Sequence, residues 1–168
     1  MLFKSKYRIE SARLKGWDYS NSAWYYITIC TKDKSCFLGK IVKEKMTLSL
    51  AGTIVKEEWL VTPTIRQNVE LDEWAIMPNH FHGIVILDNS NVETHGHASL
   101  QIKQNLSNIV RGFKSSCTLK IHQAGIKDFA WQSRFYDHII KNERSLHKIR
   151  HYIHYNYLKW DEDEENPN

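Results

Sequence analysis

Met77-Pro78-Asn79-His80-Phe81-His82-Gly83-Ile84-Val85-Ile86-Leu87 decides how the middle of the chain folds. The run from His80 to Leu87 is rich in β-branched and apolar residues and reads as a strand. Residues 69–76 form its partner, and the two make a hairpin around Met77-Pro78-Asn79. Alternate side chains of a strand share one face, so His80 and His82 point the same way, roughly 6.6 Å apart along the backbone. That separation lets two imidazoles hold one metal ion. It equally suits two imidazoles that merely satisfy hydrogen bonds on a half-polar strand.

Outward from the hairpin, alternation and helical spacing trade places. Residues 24–31, Trp-Tyr-Tyr-Ile-Thr-Ile-Cys-Thr, read as a strand. A helix is predicted over about residues 48–61, carried by Leu50, Ile54, Val55 and Leu60 and ended by Pro63. Residues 88–101 form a polar loop, in which the second His-x-His pair, His95 and His97, has no strand to orient it. Helical spacing returns over residues 102–122, and residues 135–140 alternate as a short strand. Asn142 caps a final helix that begins at Glu143. The order strand, helix, strand, strand, helix, strand, helix predicts an α+β fold. It is a ferredoxin-like or RRM-like split βαβ antiparallel sheet with helices on one face, plus a C-terminal helix.

The chain has 168 residues, 42% of them apolar, enough for one domain with a single core. Its three cysteines form no Cys-x-x-Cys pair, which argues against a disulfide framework and favours a reducing cytoplasm. No apolar run approaches the length needed to span a bilayer. The acids Asp161, Glu162, Asp163, Glu164 and Glu165 form one run near the end, so the formal net charge of +4 conceals a strongly basic residue 1–160 body. That body would favour a polyanionic partner. The run at 161–168 reads as an acidic tail, a solvated and frayed end to a domain of residues 1–160.

In the last helix Leu146, Ile149, Ile153, Tyr157 and Trp160 make an apolar stripe that would pack on the sheet. Tyr152 and Asn156 lie off the stripe, one i, i+4 step apart, with phenol and amide on the same flank. A tyrosine there is commonly a packing residue. An asparagine inside a helix is less easily dismissed, because it lowers helix propensity and offers a neutral oxygen that could complete a His, His, Asn set.

At these residues the chain resembles the single-tyrosine HUH transposases, most closely the REP-associated tyrosine transposases. Their marks are a His-hydrophobic-His strand and a downstream Tyr-x-x-x-Asn helix. The resemblance spans nearly the whole chain: Tyr7-Arg8-Ile9, Gly16-Trp17-Asp18-Tyr19, Met77 to Gly83, Trp131 to His138, Tyr152 to Asn156, and Leu158-Lys159-Trp160. It implies that His80, His82 and Asn156 bind a divalent cation, Mg²⁺ or Mn²⁺, that Tyr152 is the nucleophile, and that the substrate is single-stranded DNA, often carrying a hairpin. Family members divide between monomers and homodimers. One departure stands out: proline commonly follows the asparagine, whereas here Tyr157 does, which lengthens the run the helix is permitted.

A tyrosine attacking a phosphodiester leaves a 5′-phosphotyrosine and a free 3′-hydroxyl, which can later reverse the step, so strands are rejoined without ATP. A phenol near pKa 10 needs activation at neutral pH, and His138 is one candidate assistant. Tyr136 and Tyr155 compete with Tyr152, but only Tyr152 has the i+4 amide. The bases Lys4, Lys6, Arg8, Arg13 and Lys15, with Arg111 and Lys114 on the second helix, are candidate DNA contacts, or simply solubilising charges. Two other classes fit parts of the pattern. A non-catalytic single-stranded nucleic-acid-binding module explains charge and aromatics but not the His, His, Tyr, Asn set. Metal-dependent hydrolysis by water needs no tyrosine and leaves no covalent adduct.

Overall fold

The computed structural model describes residues 13–90, 104–163 and 165–167. Its order is β1 (Ala23–Cys30), β2 (Gly39–Val42), β3 (Lys45–Leu48), α1 (Leu50–Ile65), β4 (Val69–Ile76), β5 (His80–Leu87), α2 (Leu106–Gln123), β6 (Tyr136–Ile140) and α3 (Glu143–Tyr155), followed by a 3₁₀ segment, Asn156–Glu162. Four strands pair antiparallel in the order β4-β5-β1-β6, the predicted split βαβ arrangement.

The parity of β1 and β5 divides the sheet into two unlike faces. Tyr25, Ile27, Ile29, Phe81, Val85 and Leu87 face α1 and α2 and join the main core with Trp59, Ile109 and Phe113. Trp59 reaches down to the sheet because residue 83 is glycine: a Cβ there would sit 2.7 Å from its ring and 2.9 Å from that of Phe81. Tyr26, Thr28, His80, His82 and Ile84 face the other way. There Tyr26 and Ile84 bury themselves with Leu146 and Ile153 of α3. Trp24, Ile140 and Ile149 surround this smaller core. Burial of these side chains at about 25 cal/mol per Å² is what holds α3 on the sheet.

Three departures from the sequence reading have local causes. Pro63 lies inside α1, which runs on to Ile65. A proline in the last turn removes one N–H but leaves Arg66 N–H free to donate to Thr62 O. The β2–β3 hairpin was not foreseen, since its turn is Lys43-Glu44, both residues at positive φ (48° and 57°), in place of the usual Asn-Gly. The α-helical part of α3 ends at Tyr155, so the missing proline prolongs the helical course as a 3₁₀ segment instead of extending the α-helix. Asn142 caps α3 as predicted, its side chain accepting from Ser145 N–H. The pair His95 and His97 lies outside the described residues.

A β-bulge in β4 between Leu71 and Trp74 bears directly on α3. It presents Asp72 to Arg150, whose Nε donates to Oδ1 at 3.0 Å and whose Nη2 donates to Oδ2. Burial pushes the Asp72 carboxyl up, but the Arg150 hydrogen bonds and the Glu73 N–H outweigh it and hold it below the ordinary range. The guanidinium also lies 5.7 Å from the Trp24 ring centre. One ion pair thus fixes α3 a half-turn from Tyr152.

Candidate active site

His80 and His82 stand side by side on the α3 face of β5, their rings 4.5 Å apart and both buried. Each has its Nδ1 engaged. Asn79 Oδ1 lies 2.8 Å from His80 Nδ1. Tyr26 Oη and Thr28 Oγ1 lie 2.8 and 2.9 Å from His82 Nδ1. The register explains the second pair, since Thr28 is directly opposite His82 and Tyr26 is one same-face step along. Both Nε2 atoms are thereby left toward α3.

Asn156 meets them there at the end of α3, buried, with Nδ2 3.0 Å from His82 Nε2. Four buried side-chain N or O atoms lack a hydrogen-bond partner among the described residues, and two of them, His80 Nε2 and Asn156 Oδ1, are in this site. Buried polar atoms are nearly always satisfied, which sets these two apart from their neighbours in the site. Burial pushes the His80 imidazole down to about 4, with the acids Asp163 and Glu165 opposing. Burial, reinforced by His80, holds His82 well below its ordinary value. Both rings are therefore neutral, with lone pairs to offer, at neutral pH.

Tyr152 stands beside them. Its ring is 5.3 Å from that of His82 and 6.4 Å, edge-on, from that of Tyr26, while 47% of the residue remains exposed. The three aromatic and imidazole rings form one wall of a cleft of about 580 Å³ whose lining also includes Tyr136, Tyr155, Asn156 and Asp163. Burial drives the Tyr26 hydroxyl well above the phenol range, so it stays protonated and cannot compete as a phenolate.

Part of the acidic tail is held against the body, while Asp161 and Glu162 are exposed. Asp163 Oδ2 is 3.9 Å from His80 Nε2, Glu165 is paired with Lys34 at 3.4 Å, and the Glu165 carbonyl accepts from Asn79 Nδ2 at 2.6 Å. Trp160 turns the chain here, its ring 6.0 Å from that of His80. A run of like charges reads as solvent-facing because sequence does not show that Asp163 and Glu165 meet a histidine, a lysine and the amide of a turn asparagine.

No family model matches the chain. An uncharacterised protein of Haemophilus influenzae strain Rd is 35% identical over 164 residues, which cover 92% of this chain and 91% of that protein. The two belong to one family. Among solved structures, a REP-associated tyrosine transposase bound to a REP hairpin aligns over 88% of this chain and 73% of its own, with a TM-score of 0.61 and 20% identity. This chain has the tyrosine transposase fold. A Deinococcus radiodurans R1 protein provisionally described as a transposase aligns over 84% of this chain and 95% of its own, with a TM-score of 0.51 and 15% identity.

On this transposase fold the predicted site residues separate into two groups. His80, His82, Tyr152 and Asn156 converge. His138 is on the same sheet face, directly opposite Tyr26 in register, but it is exposed and does not line the cleft. Of the candidate DNA contacts, Arg13 is engaged structurally, donating to Ser107 at 2.6 Å, pairing with the buried Asp137 at 3.5 Å and lying over the Tyr19 and Phe135 rings. Lys114 donates to the carbonyls of Gln132 and Ser133. Arg111 is exposed and donates to Asn108; like Lys114 it is on α2, across the sheet from the cleft. Lys15 is exposed, and Lys4, Lys6 and Arg8 lie outside the described residues. The sequence reading missed Tyr26, Thr28, Asn79 and Asp163. Asn79 could have been found as the neighbour of His80 in the turn, whereas Tyr26 and Thr28 become partners of His82 only through strand register.

Among the described residues no three His, Cys, Asp or Glu side chains form a ready cluster. The donor set here includes an amide: two imidazole nitrogens and one carboxamide oxygen, with the Asp163 carboxylate in reach. Two nitrogens and hard oxygens suit a borderline divalent ion such as Mn²⁺, and an open cleft leaves room for the waters that Mg²⁺ retains. No helix among the described residues is long and apolar enough to cross a membrane.

Proposed function

We propose that this protein is a divalent-metal-dependent DNA strand transferase, a transposase that cuts and rejoins single-stranded DNA through a tyrosine. Residues 1–160 form its catalytic domain. The observation that carries the reading is the meeting of two buried atoms without partners, His80 Nε2 and Asn156 Oδ1, beside His82, with the exposed Tyr152 ring in the cleft that His82 and Asn156 line. His80, His82 and Asn156 would hold Mg²⁺ or Mn²⁺, with the Asn156 amide turned over so that Oδ1 replaces Nδ2 beside His82. The cation would neutralise charge on the scissile phosphate and orient it.

Tyr152 Oη attacks the phosphorus in line. The P–Oη bond forms as the P–O3′ bond breaks, the phenol proton passes to solvent or a neighbouring base, and the departing 3′ oxygen takes up a proton. The protein then carries the 5′ end, and attack by a 3′-hydroxyl reverses the sequence and releases the tyrosine. Tyr152 is preferred over Tyr136 and Tyr155 because it is the one of the three whose ring meets His82. The exposed Tyr136 and Tyr155 rings offer stacking surface for unpaired bases on either side of the phosphate. A hairpin-bearing strand is the expected substrate, in keeping with the hairpin bound by the REP-associated relative in fold.

Purified protein and its Tyr152→Phe variant, incubated with a hairpin-bearing single strand from beside the gene and Mn²⁺ or Mg²⁺, test this on a denaturing gel. A covalent adduct with the parent and none with the variant is expected. An adduct in both moves the nucleophile elsewhere, and strand cleavage without any adduct means that water attacks. Binding with no cleavage in either metal leaves a nucleic-acid-binding module.

A further inference from the structure

We infer that Asn79 is a positioning residue that selects the metal-binding tautomer of His80, against the competing pull of Asp163. The inference rests on the metal-site reading above, but its first test is made without metal or DNA. Asn79 is 1% exposed, and every polar atom of its amide is committed. Nδ2 donates to the Lys34 carbonyl at 3.0 Å and to the Glu165 carbonyl at 2.6 Å, and Oδ1 faces His80 Nδ1 at 2.8 Å.

Two carbonyl oxygens can only accept. They therefore fix which end of the amide is NH₂, since the flipped amide would set Oδ1 against both of them and lose two hydrogen bonds. With Oδ1 held toward the ring, and itself only an acceptor, His80 must carry its proton on Nδ1. Nε2 then presents a lone pair, buried and without a hydrogen-bond partner, on the side where Asp163 lies.

The alternative tautomer has an advocate nearby. Asp163 Oδ2, 3.9 Å from Nε2, would attract an Nε2–H, and that hydrogen would block the nitrogen as a ligand. The short, fully buried Asn79 contact prevails over the longer one to Asp163. The peptide of Asn79 is held as firmly as its side chain, for its carbonyl accepts from Thr31 N–H at 2.8 Å and Thr31 Oγ1 at 2.9 Å. Partners on the far nitrogen of a ligating histidine orient the ring and are expected to change metal affinity ten- to a hundredfold when removed.

The experiment is ¹⁵N NMR of the imidazoles in the metal-free full chain near pH 7.5, followed by Mn²⁺ titration monitored by EPR. In the parent, His80 should be Nδ1-protonated. In Asn79→Ala it should shift toward Nε2–H, with Mn²⁺ affinity falling about tenfold or more. Asn79→Ser, which keeps a small polar side chain for folding but no acceptor in reach of Nδ1, should behave alike. Thr31→Val removes a contact to the same peptide without touching the amide, so it should lower stability and leave the tautomer unchanged. An Nε2–H tautomer in the parent overturns the inference, as does a Nδ1–H tautomer and unaltered Mn²⁺ affinity in either Asn79 variant. If the parent shows the expected tautomer but binds no Mn²⁺, the positioning stands and the metal reading fails.

Discussion

Acidification of the metal-free protein gives the sharpest quantitative check on the site. His80 is wholly buried and titrates at about 4, against roughly 6.5 in an unfolded chain. Between these values the unfolded state takes up a proton that the folded state refuses, so the unfolded state binds more protons and stability falls as pH falls. From pH 7.5 to pH 5 the loss due to His80 alone is roughly 2 kcal/mol, and it levels off at about 3 kcal/mol once pH passes below the folded value. Urea unfolding with EDTA present, at several pH values, would be compared between the parent and His80→Gln. The variant keeps the titration of the other groups, His82 losing only the smaller contribution of its neighbour's charge, so its stability should decline less steeply by roughly 2 kcal/mol over that interval. Parallel curves would refute the reasoning. A parent that gains stability on acidification through pH 6.5 would show that Asp163 attraction outweighs burial, which reverses the sign.

Arg150→Ala should strand the Asp72 carboxylate, cost roughly 2 kcal/mol in urea unfolding, and reduce adduct formation by loosening the helix that carries Tyr152. Asp72→Asn in the same background should restore part of the stability. Tyr26→Phe keeps the ring against Tyr152 but removes the hydroxyl beside His82 Nδ1, so Mn²⁺ affinity measured by EPR should fall about tenfold while the fold survives. Gly83→Ala would push a methyl into the Trp59 and Phe81 rings and should destabilise by roughly 1–3 kcal/mol in thermal or urea melts, with the cleft on the opposite face untouched.

Much of the fold was legible because its signals are local. The β1, β4, β5 and β6 segments announce themselves by β-branched and aromatic runs, and α3 by its stripe and the Asn142 cap. What escaped was chemistry that violates local custom. The β2–β3 turn places Lys43 and Glu44 at positive φ, and Pro63 is harmless only because it falls in the final turn of α1. At the site, His80, His82, Tyr152 and Asn156 were each visible as unusual residue types at fixed spacings within a single element. Their partners were not, because Thr28 meets His82, and Arg150 meets Asp72, only after strands have paired and a bulge has formed.

The sequence by itself determined that two histidines share a strand face and that a phenol and an amide share a helix flank, since helical and extended periods are properties of the backbone alone. It could not determine which sheet face the histidines occupy. That was settled by the burial of Ile84 and Tyr26 with Leu146 and Ile153, which seats α3 over the same face and brings Asn156 to His82. Nor could it determine the place of the acidic run, whose Asp163 and Glu165 are drawn in by a histidine, a lysine and the amide of a turn asparagine far away in the chain. Contacts of that separation depend on the packed tertiary structure, because only the closing of long loops over a common core brings their two ends together.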